Sequence, residues 1–379
     1  MNKKKIIAIL SSRVAYGKER SNIEVYHLLN DSGMYDLTVL TSLHAEKRLF
    51  DLLDGLNIIK LDFPDRHDHS VSLFNYIIHL PIINYKILRL LKTVEPDVLF
   101  VNDELSCYDL YWSLIRFKGK IVYRIGDAPA YPDLRFFFFN SRMWHNLGVK
   151  KVDTFVCISE YINKTVIATG RCSEKDKVIY NYPPTRKKVF KRLPITKVDR
   201  LVTFGYIGQI NKPKGVDLYV MAAKKILATG YDCQFLIAGS LQYDMEFGKK
   251  IKKMTSTESS ITLLGEIDDI ESFYNSIDVL VVPSIKEEPL GNVIVEAKSY
   301  HRPCVIFPSG GMPELITHKI DGYICGSKTE NALFEGMKFY CDNKMLLSSH
   351  KQASYESILK LGIDRKTYEQ KWFEVFERY

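Results

Sequence analysis

Paired cysteines are missing from this sequence. Its seven cysteines (Cys107, Cys157, Cys172, Cys233, Cys304, Cys325 and Cys341) include no C-x-x-C pair, and their number is odd. Such scatter in a long chain argues against a disulfide framework or a zinc site and for reduced thiols in a cytoplasm. A long apolar run is missing too. The stretch Tyr76 to Leu91 is interrupted by His79, Pro81, Asn84 and Lys86, short of the ~18 clean apolar residues of a membrane span. Met1-Asn2-Lys3-Lys4-Lys5 looks like the start of a signal peptide, yet only Ile6 to Leu10 follow it as an apolar run, which reads as a first strand. Any membrane contact is therefore expected to be peripheral. The chain has no Gly-x4-Gly-Lys-Ser/Thr loop, which argues against a P-loop enzyme, and no Gly-x-Ser-x-Gly elbow for a serine nucleophile.

What is present is the composition of an ordinary soluble protein: 379 residues, 46% apolar and 12% aromatic, enough for two domains. The formal charge of +8 is unevenly placed. Residues 1–195 carry 30 Lys+Arg and 21 Asp+Glu, while residues 196–379 carry 23 and 24. A one-sided basic field suits an anionic partner, and a solvated surface with a basic linker is the plainer reading. Five of the basic residues lie in the linker described next, which leaves residues 1–181 with an excess of four. That fits attraction to a phosphorylated or membrane-bound substrate and not a nucleic-acid binder.

Short β-branched runs alternate with longer helical stretches. In the first half they are Lys5–Leu10, Asp36–Ser42, Ile58–Phe63, Val98–Asn102, Lys120–Ile125, Thr154–Ser159 and Lys177–Asn181; in the second, Leu201–Ile207, Gln234–Gly239, Ile261–Gly265, Asp278–Ser284, Pro303–Phe307 and Gly322–Cys325. This alternation predicts α/β architecture, two doubly wound parallel-sheet, Rossmann-like domains facing a cleft. Between the two sets, Tyr182 to Pro194 holds three prolines and five basic residues without a periodic apolar face, a linker. The expected layout is residues 1–181, a linker over 182–200, and residues 201–363. The tail, residues 364–379, places Tyr368, Trp372, Val375, Phe376 and Tyr379 on one helical face for packing.

In doubly wound sheets ligands bind just beyond the carboxyl ends of strands. The richest such place is Val281-Val-Pro-Ser-Ile-Lys-Glu-Glu-Pro-Leu-Gly-Asn-Val-Ile-Val-Glu-Ala297. A buried strand ends near Ser284, an acidic loop carries Glu288 and Pro289, and a helix starts near Gly291. The backbone N–H groups of Leu290, Gly291 and Asn292 would form a phosphate-binding helix N-terminus. Glu288 and Glu296 beside it could accept hydrogen bonds from sugar or ribose hydroxyls. An acidic first turn that merely suits the helix dipole is the plain alternative.

The order of motifs from Leu201 to Gly326 resembles the retaining family 4 glycosyltransferases of the GT-B fold. The likeness rests on Gly205-Tyr-Ile-Gly-Gln-Ile-Asn-Lys-Pro-Lys-Gly-Val-Asp217, on Phe235-Leu-Ile-Ala-Gly239, on Leu264-Gly265 with Phe273-Tyr274 and Asp278 to Ser284, and on Glu288 to Glu296 with Pro303-Cys-Val, Ser309-Gly-Gly-Met-Pro-Glu314 and Asp321-Gly-Tyr. It covers about a third of the chain. The resemblance implies that Glu288 contacts the donor sugar, that Glu296 holds the ribose, that backbone at Gly291 approaches the diphosphate, and that Lys214 neutralises it as it leaves. Gly208, Gln209, Gly265, Pro289, Leu290 and Asn292 complete the implied donor set. The chain departs from the pattern at Gln209, where the family has an arginine, and Lys212 stands nearby as a substitute.

In the first half the resemblance is thinner. The family's glycine loop is reduced to Gly17 within Ala15-Tyr-Gly-Lys-Glu-Arg20, and Arg124-Ile-Gly-Asp-Ala-Pro129 resembles its polar strand end, with Asp127 facing a sugar. Ser159-Glu160 and Asn181 also resemble strand ends, and structural capping accounts for them equally well. Asp65-Arg-His-Asp-His69 fits no standard zinc spacing and reads as a polar loop, so no metal is expected. The segment Leu134 to Lys151, with four consecutive phenylalanines and Arg135, Arg142, Lys150 and Lys151, suits either an anionic membrane interface or a buried helix with a basic end.

By resemblance, the expected activity is transfer of a hexose from a UDP- or GDP-sugar to a hydroxyl of a glycan or lipid-linked saccharide. The expected route has retention, a front-face path, and domain closure that excludes water. Glu288, Lys214 and Asp127 would carry the chemistry. The setting would be cell-surface polysaccharide, capsule or lipopolysaccharide synthesis, in the cytoplasm or at the inner face of its membrane. No cofactor is implied beyond the nucleotide-sugar co-substrate. A nucleotide-sugar epimerase or phosphorylase on the same fold, or a non-catalytic nucleotide-sugar binder, are the competing readings.

Overall fold

A parallel strand covered on both faces has no polar side to show, and the first run reads this way: residues 6–10 are all buried. The computed structural model describes residues 3–64, 73–128, 143–168, 170, 176–183 and 201–377. The chain divides into two units, Met1–Pro184 with Arg365–Tyr379, and Thr185–Asp364. All thirteen apolar runs form strands.

The first unit runs β1 (Lys4–Leu10), α1 (Gly17–Asp31), β2 (Tyr35–Ser42), α2 (Lys47–Leu52), β3 (Asn57–Leu61), α3 (Leu73–Val94), β4 (Val98–Val101), α4 (Glu104–Asp109), α5 (Tyr111–Arg116), β5 (Lys120–Ile125), β6 (Thr154–Cys157), α6 (Glu160–Ala168) and β7 (Lys177–Val178). Its seven strands are parallel in the order β3-β2-β1-β4-β5-β6-β7. In register, Ile6 of β1 lies opposite Leu37 of β2 on one side and Val98 of β4 on the other. The order therefore reverses between β1 and β4, which splays the following loops apart and leaves a crevice at the strands' carboxyl ends.

The second unit runs β8 (Val202–Ile207), α7 (Val216–Ala228), β9 (Cys233–Ala238), α8 (Met245–Thr255), β10 (Ile261–Gly265), α9 (Ile270–Ser276), β11 (Val279–Val282), α10 (Asn292–Ser299), β12 (Cys304–Ile306), β13 (Gly322–Ile324), α11 (Glu330–Asp342) and α12 (Leu346–Lys360). Its six parallel strands repeat the plan, β10-β9-β8-β11-β12-β13, with the reversal between β8 and β11. The core stacks Phe204 on Phe235 with centroids 5.6 Å apart. Behind α10 the fully buried Lys298 pairs with Asp321 at 3.1 Å, and Asp321 also accepts from Thr317 N at 2.8 Å. Removing one partner of such a pair costs about 3–5 kcal/mol, so the pair firmly fixes the helix that carries Glu296.

The final helix, α13 (Arg365–Glu377), belongs to the first unit. Its buried face is Tyr368, Trp372, Val375 and Phe376. Trp372 and Phe376 meet Phe100 of β4 at 5.5 and 5.3 Å, and Lys4 Nζ donates to the Phe376 carbonyl at 2.8 Å. Each such buried aromatic contributes roughly 2–3 kcal/mol.

The cysteines are less scattered in space than in sequence: Cys233 and Cys341 place their sulfurs 3.5 Å apart. Trp144, in the segment read as membrane interface or buried helix, is fully buried. Residues 134–142 of that segment, Cys172, Tyr379, the Asp65–His69 cluster and linker residues 184–200 lie outside the described residues. Among the described residues no helix is long and apolar enough to cross a membrane.

Candidate active site

The strand-order reversal of the second unit lies between β8 and β11, and the donor candidates gather there. After β8 come Gly208 and Gln209, then a 3-10 turn over Lys212–Lys214 capped by the Asn211 side chain, which accepts from Lys214 N at 3.1 Å. Gly215 follows with φ 69°, and a Cβ there would sit 2.0 Å from the Pro283 carbonyl oxygen. Only glycine lets the turn press this closely on the end of β11. Lys214 Nζ thereby reaches Glu288 Oε1 at 2.6 Å, and Ser284 Oγ donates to the same oxygen at 2.8 Å.

The loop that carries Glu288 is clamped from both sides. Ile285 N and Lys286 N donate to the Pro213 carbonyl at 2.9 and 3.2 Å. Opposite, Ser309 Oγ donates to the Lys286 carbonyl at 2.6 Å, Gly310 N to the Glu287 carboxylate, and Gly311 N to the Glu288 carbonyl at 2.8 Å. A Cβ on Gly310 (φ 57°) would lie 2.1 Å from the Glu288 carbonyl oxygen. The hydrogen bond from Lys328 holds the Glu287 carboxyl below its ordinary range. The Ser309-Gly-Gly motif is thus the buckle of this loop.

Pro289 and Asn292 are half-buried and Leu290 is buried, and Gly291 forms the N-cap of α10. Glu296 lies on the second turn, where the buried Tyr274 hydroxyl donates to its Oε2 at 3.0 Å. Tyr274 is itself stacked on Tyr300 at 5.2 Å, so Glu296 is aimed by an aromatic pair. Gly265 ends β10, with its carbonyl accepting from Gly239 N at 2.8 Å. Gln209 turns toward its own loop: its Oε1 accepts from Asn211 Nδ2 at 3.3 Å, and its carbonyl accepts from the Tyr206 hydroxyl at 2.7 Å. Lys212 is exposed.

The first unit has a matching place between β1 and β4. Gly17 opens α1, and Lys18 beside it bridges two carboxylates, Asp127 at 2.9 Å and Asp103 at 3.5 Å. Burial alone would lower the Lys18 pKa, but Asp103 and Asp127 outweigh it and raise it. These groups line a cavity of about 240 Å³ together with Asn102, Glu104 and Tyr108. Among the described residues its charged lining is one lysine against three carboxylates. Lys18 and Asp103 carry no local motif and were missed by sequence reasoning; the adjacent Gly17 was the available signal.

Other first-unit candidates turn inward. Arg124 is fully buried and donates to Asn22 and, at 2.6 Å, to Asn181 Oδ1, so these residues brace β5 against α1. Burial lowers the Arg124 pKa. Ser159 caps α6, accepting from Ile162 N at 3.1 Å. Of the strand-end motif, Asp127 is exposed.

Residues 202–343 match the family described as Glycosyl transferases group 1. An uncharacterized glycosyltransferase of Haemophilus influenzae is 25% identical over 349 residues, 89% of this chain and 90% of that one. The capsular polysaccharide biosynthesis glycosyltransferase CapM of Staphylococcus aureus is 22% identical over 50% of this chain, a match that spans 53% of CapM, about half its length. Among solved structures, a glycosyltransferase from Rickettsia africae superimposes with a TM-score of 0.80 at 17% identity, covering 100% of this chain and 99% of that one. Anabaena Alr3699/HepE in complex with UDP-glucose superimposes with a TM-score of 0.79 at 19% identity, covering 99% and 100%. At these identities the likeness is one of fold. The chain thus has two parallel-sheet units of the GT-B type, and its match to the group 1 glycosyl transferases lies in the second unit, over residues 202–343.

Proposed function

We propose that the protein transfers a hexose from a UDP- or GDP-sugar to a hydroxyl of a glycan or lipid-linked saccharide, with retention, in the synthesis of a cell-surface polysaccharide. The observation that carries this reading is the Lys214–Glu288 pair held at the mouth of α10, within the β8/β11 reversal. A diphosphate at the start of α10 would meet helix-end N–H groups and the Lys214 ammonium together. Glu296, aimed by Tyr274, would accept from ribose hydroxyls, and Glu288 from hydroxyls of the hexose. As the glycosidic bond breaks, charge grows on the diphosphate, and Lys214 lies where it would lower that barrier. The positive charge at this point comes from the chain itself, which supports a reading without a metal. Capsular relatives such as CapM support the polysaccharide setting.

The acceptor belongs in the first-unit cavity, where Asp127 can accept from a sugar hydroxyl. Three carboxylates against one lysine favour a neutral saccharide there over a phosphate. A thermal-shift screen of UDP-, GDP- and ADP-sugars tests the reading. A donor at a hundred times its Kd adds about 2.7 kcal/mol of stability, so the correct one raises the melting temperature. A flat response to every sugar nucleotide would count against it, and product formed without acceptor would favour an epimerase.

A further inference from the structure

The helix α3 presents a face that neither the core nor the transfer chemistry uses. Its 22 residues include Lys86, Arg89 and Lys92 and no acidic residue. The inner face is settled: Ile83, Ile87 and Leu91 are buried, and Asn84 anchors the helix by donating to the Asp109 carbonyl at 2.6 Å and accepting from Ser113 N at 2.9 Å. The opposite face is unusual. Ile78 and Ile82 are each 44% exposed and Tyr85 is 66% exposed. Pro81, Lys86, Arg89 and Lys92 are exposed as well. Positions 78, 82, 85, 89 and 92 recur at intervals of three and four, so they form one stripe, about 21 Å long. Its first two turns are apolar and its last two are basic.

We propose that this stripe docks the first unit on an anionic lipid surface. Ile78, Ile82 and Tyr85 would enter the boundary between headgroups and acyl chains, while Lys86, Arg89 and Lys92 meet lipid phosphates. Charge complementarity selects this occupant: every charged side chain on the stripe is basic. The apolar turns argue against nucleic acid, and tyrosine suits an interface that is apolar on one side and wet on the other. The stripe is separate from Leu134–Lys151, the segment whose sequence suits either an anionic membrane interface or a buried helix. It also separates two chemistries within one unit, since the cavity lining is acidic and the α3 stripe basic. It depends on neither the donor nor the acceptor assignment.

The test is co-sedimentation of the full chain with vesicles of phosphatidylcholine alone and of an equimolar mixture with phosphatidylglycerol, at low and high salt. The protein should pellet with the mixed vesicles and be released as salt rises. The Lys86→Gln/Arg89→Gln double variant should lower partitioning roughly thirtyfold, at about 1 kcal/mol per basic side chain near the surface. An Ile82→Ser/Tyr85→Ser variant should weaken binding at every salt concentration. All four side chains are exposed, so both variants should keep the parent melting temperature, which serves as the control for folding. Failure of the parent protein to pellet with mixed vesicles at low salt overturns the proposal, as does parent-like binding by both variants. Loss of a dimer in the Ile82→Ser/Tyr85→Ser variant with vesicle binding unchanged would mark the stripe as a self-association surface and overturn it equally.

Discussion

Replacing Lys214 by alanine separates what the cation does in binding from what it does in the reaction. The ammonium lies 2.6 Å from Glu288, with 32% of its side chain exposed. A unit charge about 3 Å from a diphosphate oxygen, at an effective dielectric constant of about 20, is worth roughly 5–6 kcal/mol. Only part of a charge develops on the leaving group, and solvent reaches the lysine, so about 2–3 kcal/mol should be lost in the transition state. That corresponds to roughly a hundredfold fall in kcat. The donor KM should move far less, by about threefold, because Lys214 already has a carboxylate partner and donor binding exchanges one anion for another. Steady-state release of nucleoside diphosphate at saturating acceptor reads both constants. Lys214→Arg keeps the charge and should recover most of kcat. The melting temperature should barely change, since a partly exposed pair contributes about 0–1 kcal/mol. A rise in KM with kcat intact would refute the reasoning, because the lysine would then bind donor and transition state alike.

Two further outcomes follow from the geometry. Gly215→Ala forces a Cβ toward the Pro283 carbonyl from a left-handed backbone, and should cost about 2–3 kcal/mol in denaturant unfolding and blunt the thermal shift given by donor; parent stability would contradict the packing described. Burial raises the pKa of the Glu19 carboxyl, so the native state binds more protons than the unfolded one between the two values, and the stability this gives at acid pH is lost as pH rises through the native pKa. Glu19→Gln keeps an acceptor for Tyr16 N and removes the buried charge. It should therefore melt higher than the parent protein at pH 8, with the gap closing as pH falls from the raised native value toward about 4.5; a gap independent of pH would exclude this cause.

Much of the fold was legible because parallel strands, buried on both faces, stand out as apolar runs; Val279–Val282, four β-branched or leucine residues buried throughout, is such a run. The second-unit site was legible in part because its parts are local: Ser284, Glu288 and Glu296 fall within thirteen residues. The first-unit cavity was not, since Lys18 and Asp127 are 109 residues apart and meet because β1, β4 and β5 lie side by side in the sheet. The roles of Gly215 and Gly310 were hidden for the same reason, because the atoms that exclude a side chain there come from other loops. Arg124 stands in the same polar motif as the exposed Asp127 but is buried and spent on Asn22 and Asn181, a difference that the motif does not reveal. The α3 stripe is hard to see in sequence because its apolar outer turns blend with the apolar inner face into what looks like one interrupted hydrophobic run.

The return of α13 to Phe100 has a consequence for biosynthesis. The strands of the first unit are made before the second unit, yet its core closes only when Trp372 and Phe376, which follow the second unit in sequence, have left the ribosome. The second unit is continuous in sequence and has no such wait. During translation the order of completion would therefore invert the order of synthesis, with the amino-terminal sheet exposing Phe100 and Tyr35 until the closing helix covers them.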